Sequence, residues 1–100
     1  MDKYVVKLYP HAYRDLDEIY IYIADTLLES NAAFRMVDEI ESIILSLETF
    51  PERGSIRRVG AYANRGYRQL FYKKYTIIYC VVEEKKEVHI LTIRYSPSNF

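Results

Sequence analysis

The fold of this chain can be inferred first from its C-terminal third, which reads Tyr75-Thr76-Ile77-Ile78-Tyr79-Cys80-Val81-Val82, then Glu83-Glu84-Lys85-Lys86, and then residues 88–95. Residues 75–82 are nearly all apolar or β-branched, which is typical of a central strand. The charged tetrapeptide predicts a hairpin loop, and residues 88–95 predict the strand that returns beside the first. The C-terminal third is therefore predicted to be a β-hairpin.

A further strand is predicted just upstream of this hairpin. Residues 66–72 alternate between two faces, one of which carries Arg68, Leu70 and Tyr72. The pair Lys73-Lys74 predicts the turn into residues 75–82.

The first half of the chain predicts a short strand and two amphipathic helices. Residues 3–9 alternate, and Pro10 fits the first turn of a helix. Apolar residues then recur at intervals of three and four, first over about 18 residues and again from position 33 to position 47. A break at Glu29-Ser30-Asn31 separates the helices, with Ser30 or Asn31 available to cap the second, and Phe50-Pro51-Glu52-Arg53-Gly54 ends it.

The predicted order is β-α-α-β-β-β, an α+β fold in which a helical hairpin packs on one face of a small, mainly antiparallel sheet. A length of 100 residues, half of them hydrophobic, fits a single domain over residues 1–100. Arg68 and Arg94 are predicted to lie on successive outer strands and to converge on a common concave surface.

Composition excludes several kinds of protein and of site. No apolar run approaches the roughly 20 residues that a membrane span needs, so we expect a cytoplasmic protein without membrane contacts. The lone Cys80 excludes an internal disulfide and is expected to be a buried structural thiol. His11 and His89 lie far apart with no Cys or Asp at ligand spacing, and no glycine-rich phosphate loop is present, so neither a metal nor a cofactor is expected. His89 is expected to be structural or solvated.

The chain has zero formal net charge, but its charges are strongly segregated. Residues 53–75 contain seven basic and no acidic side chains, interleaved with four tyrosines, whereas residues 11–50 contain nine acids and two arginines. Basic groups mixed with aromatic rings suit a polyanion whose bases can stack. The alternative is a solvated loop and the solvent-facing side of a strand.

Five segments resemble, in their order and spacing, the RelE/ParE toxins of bacterial type II toxin-antitoxin systems, and the resemblance covers essentially the whole chain. They are Pro10-x-Ala12-x-Arg14-Asp15-Leu16-x-x-Ile19-x-x-Tyr22-Ile23, Ser46-Leu47-x-x-Phe50-Pro51-Glu52-Arg53-Gly54, Gly66-Tyr67-Arg68-x-Leu70, Tyr75-x-Ile77-Ile78-Tyr79 and Val88-x-Ile90-Leu91-x-Ile93-Arg94. The resemblance implies the helical hairpin and small sheet that the patterns predict independently. It also implies a growth-arresting toxin that a cognate antitoxin binds and neutralises. The assembly that it implies is a toxin homodimer or a toxin-antitoxin heterotetramer.

The resemblance further implies one of two targets. Members resembling RelE cleave messenger RNA on the ribosome, and members resembling ParE inhibit DNA gyrase. Nucleolytic relatives usually carry arginine where this chain has Thr76, and the ending after Arg94-Tyr95 lacks their histidine. We therefore expect ParE-like inhibition of gyrase. The alternatives are a metal-independent, ribosome-dependent mRNA endoribonuclease and, less favoured, a non-toxic RNA-binding or interaction module.

The candidate site residues follow from these expectations. If the chain is nucleolytic, the resemblance and the chemistry of phosphodiester cleavage indicate Arg68 and Arg94 as phosphate ligands and Tyr95 as an acid or a stacking residue. The side chains expected to bind the target or the antitoxin are Arg53, Arg57, Arg58, Arg65, Tyr67, Lys73 and Lys74. The structural alternatives are charges at the rim of a strand for the two arginines, a packing role for Tyr95 and a plain turn for Lys73-Lys74.

Overall fold

The structure, a computed structural model, describes residues 3–96 with the exception of the Leu27 side chain. Strand β1 (Val5–Leu8) precedes helices α1 (Pro10–Leu27) and α2 (Ser30–Leu45), and a 3₁₀ turn (Ser46–Glu48) extends α2. Strands β2 (Ser55–Ile56), β3 (Arg68–Tyr72), β4 (Tyr75–Val82) and β5 (Glu87–Tyr95) follow, with a 3₁₀ turn (Glu83–Lys85) between the last two.

The five strands form one mixed sheet in the order β1-β5-β4-β3-β2. Strand β1 is parallel to β5, and the other neighbouring pairs are antiparallel. The predicted α+β class and the β-hairpin are confirmed. Strand β2 was not predicted, because two residues are too few to show an alternating pattern.

The helix ends differ in part from the prediction. Helix α1 begins at Pro10, as expected of a residue that needs no hydrogen-bonded N–H in the first turn. The predicted cap at Ser30 or Asn31 is wrong, because α2 already begins at Ser30 and Glu29 precedes it without a capping side chain. Helix α2 ends at Leu45, so the segment 50–54 forms the connection that follows the 3₁₀ turn.

The hydrophobic core lies between the helical hairpin and one face of the sheet. The helices contribute most of the predicted periodic positions, but Tyr13, the first apolar residue of the α1 pattern, is 59% exposed and Ala12 is buried instead. Strands β4 and β5 contribute alternate residues. Its fully inaccessible large members are Ile40, Leu47, Ile77, Tyr79, Val88 and Ile90. In the part of the chain that the structure describes, no helix is long and apolar enough to cross a membrane.

A β-bulge interrupts the pairing of the two longest strands. Ile78 pairs with Thr92, whereas the next residue of β4, Tyr79, pairs with Ile90, so Leu91 is the extra residue of β5. Bulges re-aim nearby side chains. Beyond this bulge, the Thr92 hydroxyl and the Ile93 amide both donate to Oδ2 of Asp15 on α1, over 2.6 and 2.9 Å. The carboxylate therefore ties α1 to the end of β5.

Candidate functional site

The turn at residues 51–54 is held by a buried tyrosine. The Tyr79 hydroxyl donates to the Pro51 carbonyl oxygen over 2.8 Å and accepts from the Gly54 amide over 2.9 Å. Burial is the main cause that raises the pKa of Tyr79, which keeps the phenol protonated as a donor. A methyl group on Gly54 would lie 2.4 Å from the Gln69 carbonyl oxygen, so this approach requires glycine.

Two of the predicted site arginines support the same turn. Arg53 donates to the Ser46 hydroxyl over 2.5 Å, and Arg68 donates to the Gly54 carbonyl over 2.7 Å. Arg68 also pairs with Glu52 at 3.5 Å. These two guanidinium groups therefore stabilise the backbone of the 51–54 turn.

Residues 57–67, here called the basic loop, connect β2 to β3. Arg57 lies inside the loop, where Nε donates to the Ala61 carbonyl over 2.5 Å and Nη1 donates to Gln69 over 2.9 Å. Tyr62 and Tyr67 pack edge to face with ring centroids 5.7 Å apart. Tyr62 has a φ of 68°, a left-handed conformation that is costly for a bulky residue and that the loop's internal contacts maintain.

The remaining predicted cations differ in how accessible they are. Arg58 and Arg65 in the basic loop are exposed and make no hydrogen bond or ion pair with any residue between positions 3 and 96. Lys73 and Lys74 form the predicted turn, and Lys73 Nζ lies 5.5 Å from the centre of the Tyr72 ring. Arg58, Arg65 and Lys74 are thus the predicted binding residues whose charges face solvent without a partner among the described residues.

A groove of about 550 Å³ lies between α1 and the end of β5. Its walls combine acidic, basic and aromatic groups, which are His11, Asp15, Glu18, Tyr22, Tyr75, Arg94 and Tyr95. The Asp15 carboxylate, fixed by Thr92 and Ile93, faces His11 Nε2 at 3.5 Å. Tyr75 and Tyr95 pack with ring centroids 5.6 Å apart, and burial, followed by the neighbouring tyrosines, raises the pKa of Tyr75.

The three candidate catalytic residues do not converge. Arg68 pairs with Tyr79, whereas Arg94 pairs with Thr76, three residues away on β4. Since successive residues of a strand alternate faces, the two arginines lie on opposite faces of the sheet, about 10 Å apart along the strand direction alone. The expectation of a common concave surface is therefore wrong, and so is their placement on successive strands, because β4 lies between β3 and β5. Only Arg94 and Tyr95 share the groove.

Sequence reasoning missed three features of these sites. Asp15 was noted only as part of a motif, and its partners in β5 are 77 and 78 residues away. His89, expected to be structural or solvated, is hydrogen-bonded to both Tyr9 and Glu87. Cys80 is only half-buried, although burial does raise its pKa and so disfavours the reactive thiolate.

Comparison with known proteins places this geometry in a family. The model of the ParE toxin of type II toxin-antitoxin systems matches residues 6–99. Among solved structures, a chain of the chromosomal ParDE toxin-antitoxin system from P. aeruginosa is similar, with 24% identity and a TM-score of 0.75 over 94% of this chain and 97% of that one.

Two RelE-type structures share the fold at lower identity. A chain of the RelBE2 toxin-antitoxin complex from Mycobacterium tuberculosis has 19% identity and a TM-score of 0.70 over 98% of this chain and 97% of that one. The isolated E. coli RelE toxin has 12% identity and a TM-score of 0.56 over 96% of this chain and 87% of that one. No curated protein sequence matches. Since the family model spans nearly the whole chain, this protein belongs to the ParE toxins of the RelE/ParE family.

Proposed function

We propose that this chain is the toxin of a type II toxin-antitoxin pair and that it arrests growth by inhibiting DNA gyrase. Membership of the ParE family supports the toxin role. The separation of Arg68 from Arg94 is the observation that favours gyrase over messenger RNA as the target. A metal-free ribonuclease needs cations, an acid and a base around one phosphate.

In this chain the corresponding groups are dispersed. Arg68 holds the Gly54 carbonyl on one face of the sheet, and Arg94 lies on the other. Thr76, where nucleolytic relatives usually carry arginine, is 1% exposed. This dispersion favours inhibition through binding over cleavage of RNA.

One observation favours the alternative, ribosome-dependent cleavage of mRNA. The groove brings Arg94 and Tyr95 close to the His11–Asp15 pair, which together offer a cation, a phenol and an oriented imidazole. Such a set suffices for general acid-base chemistry if the ribosome positions the RNA. This alternative therefore rests on the groove between α1 and the end of β5.

We further propose that a cognate antitoxin neutralises the toxin in the cytoplasm by covering the basic loop. Arg58 and Arg65 are exposed there, have no charged partner within residues 3–96, and lie in the same loop as the Tyr62–Tyr67 pair. An acidic segment that folds on binding would pair with the guanidinium groups and pack on the aromatic rings. The proposed occupant is thus acidic and partly apolar.

Induction in bacteria without the antitoxin tests the proposed target. We expect replication to stop and a DNA-damage reporter to respond, while ribosome-bound messages keep intact ends. The double variant Arg58→Ala/Arg65→Ala tests whether the basic loop also contributes to growth arrest. The matched control is Arg35→Ala, at an exposed arginine on α2. If messages are cleaved and the DNA-damage reporter stays silent, the gyrase proposal is overturned and ribosome-dependent cleavage of mRNA in the groove is favoured.

A further inference from the structure

Three hydrogen-bonded side chains form a relay on the sheet face opposite the helices. Glu87 Oε1 lies 2.9 Å from His89 Nε2, and His89 Nδ1 lies 3.0 Å from the Tyr9 hydroxyl. The parallel register of β1 with β5, in which Lys7 lies beside His89, brings these residues together across 80 positions of sequence. Lys7 Nζ contacts the other carboxylate oxygen of Glu87 at 2.9 Å.

The hydrogen-bond pattern fixes the direction in which each proton is donated. Hydrogen bonds from His89 first and Lys7 second lower the pKa of Glu87, so its carboxylate is ionised and can only accept. With neutral imidazole, His89 Nε2 therefore carries the hydrogen and Nδ1 presents a lone pair. The Tyr9 hydroxyl must then be the donor to Nδ1. A hydroxyl whose proton points at an imidazole, itself oriented by a carboxylate, has the arrangement of an activated nucleophile.

We propose that Tyr9 is a nucleophilic tyrosine that takes tetrahedral electrophiles, phosphoryl or sulfonyl groups that carry a leaving group. The phenolic oxygen forms a bond to phosphorus or sulfur, its proton passes to His89 Nδ1, and the leaving group departs with its bonding electron pair. His89 is the general base, and Glu87 is a positioning residue that stabilises the imidazolium. The Lys7 side chain, 56% exposed, contacts the other oxygen of Glu87 and so helps to hold that carboxylate in place.

The exposures of these side chains fit the proposal, because Tyr9 is accessible to a reagent whereas its base, His89, is shielded from solvent. The Tyr9 residue is 42% exposed, whereas the side chains of His89 and Glu87 are 19% and 17% exposed. Three other tyrosines, Tyr13, Tyr22 and Tyr95, are 59–63% exposed, and none of their hydroxyls donates to a described residue. If exposure alone governed reactivity, these three would react before Tyr9. The relay predicts the reverse order, and this prediction is independent of the gyrase proposal.

Labelling of the full chain with benzenesulfonyl fluoride at neutral pH tests the proposal. Peptide mass spectrometry would give the rate at each tyrosine. We expect Tyr9 to react at least about tenfold faster than Tyr13, since a positioned general base contributes at least this much in enzymes. His89→Gln should reduce the Tyr9 rate to that of Tyr13 and leave Tyr13, Tyr22 and Tyr95 unchanged.

The Glu87→Gln variant tests whether Glu87 acts on the reaction by stabilising the His89 imidazolium or only supports the fold. It keeps a hydrogen-bond acceptor for His89 but loses the charge that stabilises the imidazolium, so the Tyr9 rate should fall while the circular dichroism spectrum stays that of the wild type. Should a variant fail to fold, the order of labelling within the wild-type chain still decides. The proposal is overturned if Tyr9 reacts more slowly than the three exposed tyrosines. It is also overturned if the Tyr9 rate is unchanged in a folded His89→Gln variant.

Discussion

At the scale of single residues, the Tyr79 hydroxyl has the clearest energetic role. It bonds both sides of the 51–54 turn, and the Gly54 amide that it satisfies is buried. Tyr79→Phe should lower the free energy of unfolding by about 1–3 kcal/mol, because it leaves this buried amide without a partner. Urea denaturation measures the loss. Tyr95→Phe, at an exposed tyrosine, is the control and should change stability by less than about 0.5 kcal/mol. Equal stability losses in the two variants would contradict this role.

The same residue shows how far local patterns reach. The nearly continuous apolar and β-branched run of residues 75–82 predicted that Tyr79 would be in a central strand, and the structure confirms the strand bounds. The hydroxyl's partners lie 25 and 28 residues earlier, in a turn whose path depends on the folded sheet. No sequence period encodes that distance, so the contact was not predicted.

At the scale of secondary-structure elements, Asp15 fastens α1 to β5. Its Oδ2 accepts two hydrogen bonds beyond the bulge, and bonds to a charged acceptor are stronger than neutral ones. Asp15→Ala should therefore lower the free energy of unfolding by about 1.5–3 kcal/mol in urea titrations. Asp17→Ala, at an exposed position of the same helix, should have almost no effect. A matching loss in the Asp17 variant would show that helix charge, and not this contact, sets stability.

The attachment of strand β1 to β5 should depend on pH through Glu87. Its hydrogen bonds with His89 and Lys7 lower its pKa in the folded state, so the carboxylate stabilises the fold above its unfolded pKa. That contribution disappears as the pH falls through the lowered folded value. The urea midpoint of Glu87→Gln should therefore lie below that of the wild type near about pH 7 and approach it near about pH 3. Glu84→Gln, at an exposed residue of the hairpin loop, should show no such trend.

Element types were largely predictable, but their relative placement was not. The spacing of apolar residues gave both helices and β3 to β5, because each pattern is internal to its element. The faces of Arg68 and Arg94 depend on how three strands pair, and their predicted convergence failed for that reason. The basic loop was recognised as charged, yet the inward turn of Arg57 and the support of the 51–54 turn by Arg53 became visible only in the fold.

At the scale of the whole molecule, the segregated charges of a neutral chain should govern association with the antitoxin. Because Arg58 and Arg65 are exposed and unpaired among the described residues, the proposed complex should weaken as salt rises. The double Arg58→Ala/Arg65→Ala variant should bind more weakly and with a smaller salt dependence, whereas Arg35→Ala should behave as the wild type. Calorimetric titrations at several salt concentrations would measure both. An affinity unchanged from low to near-molar salt would mean that apolar contacts dominate.

We propose that this ParE-family toxin acts on gyrase and not on messenger RNA. Supercoiling of relaxed plasmid by purified gyrase, with increasing amounts of the purified toxin, tests it most directly, and programmed ribosomes with bound mRNA provide the parallel reaction. We expect dose-dependent loss of supercoiling, intact mRNA, and full inhibition of gyrase by a His11→Ala variant. Undiminished supercoiling together with mRNA cut in the decoding site would contradict it.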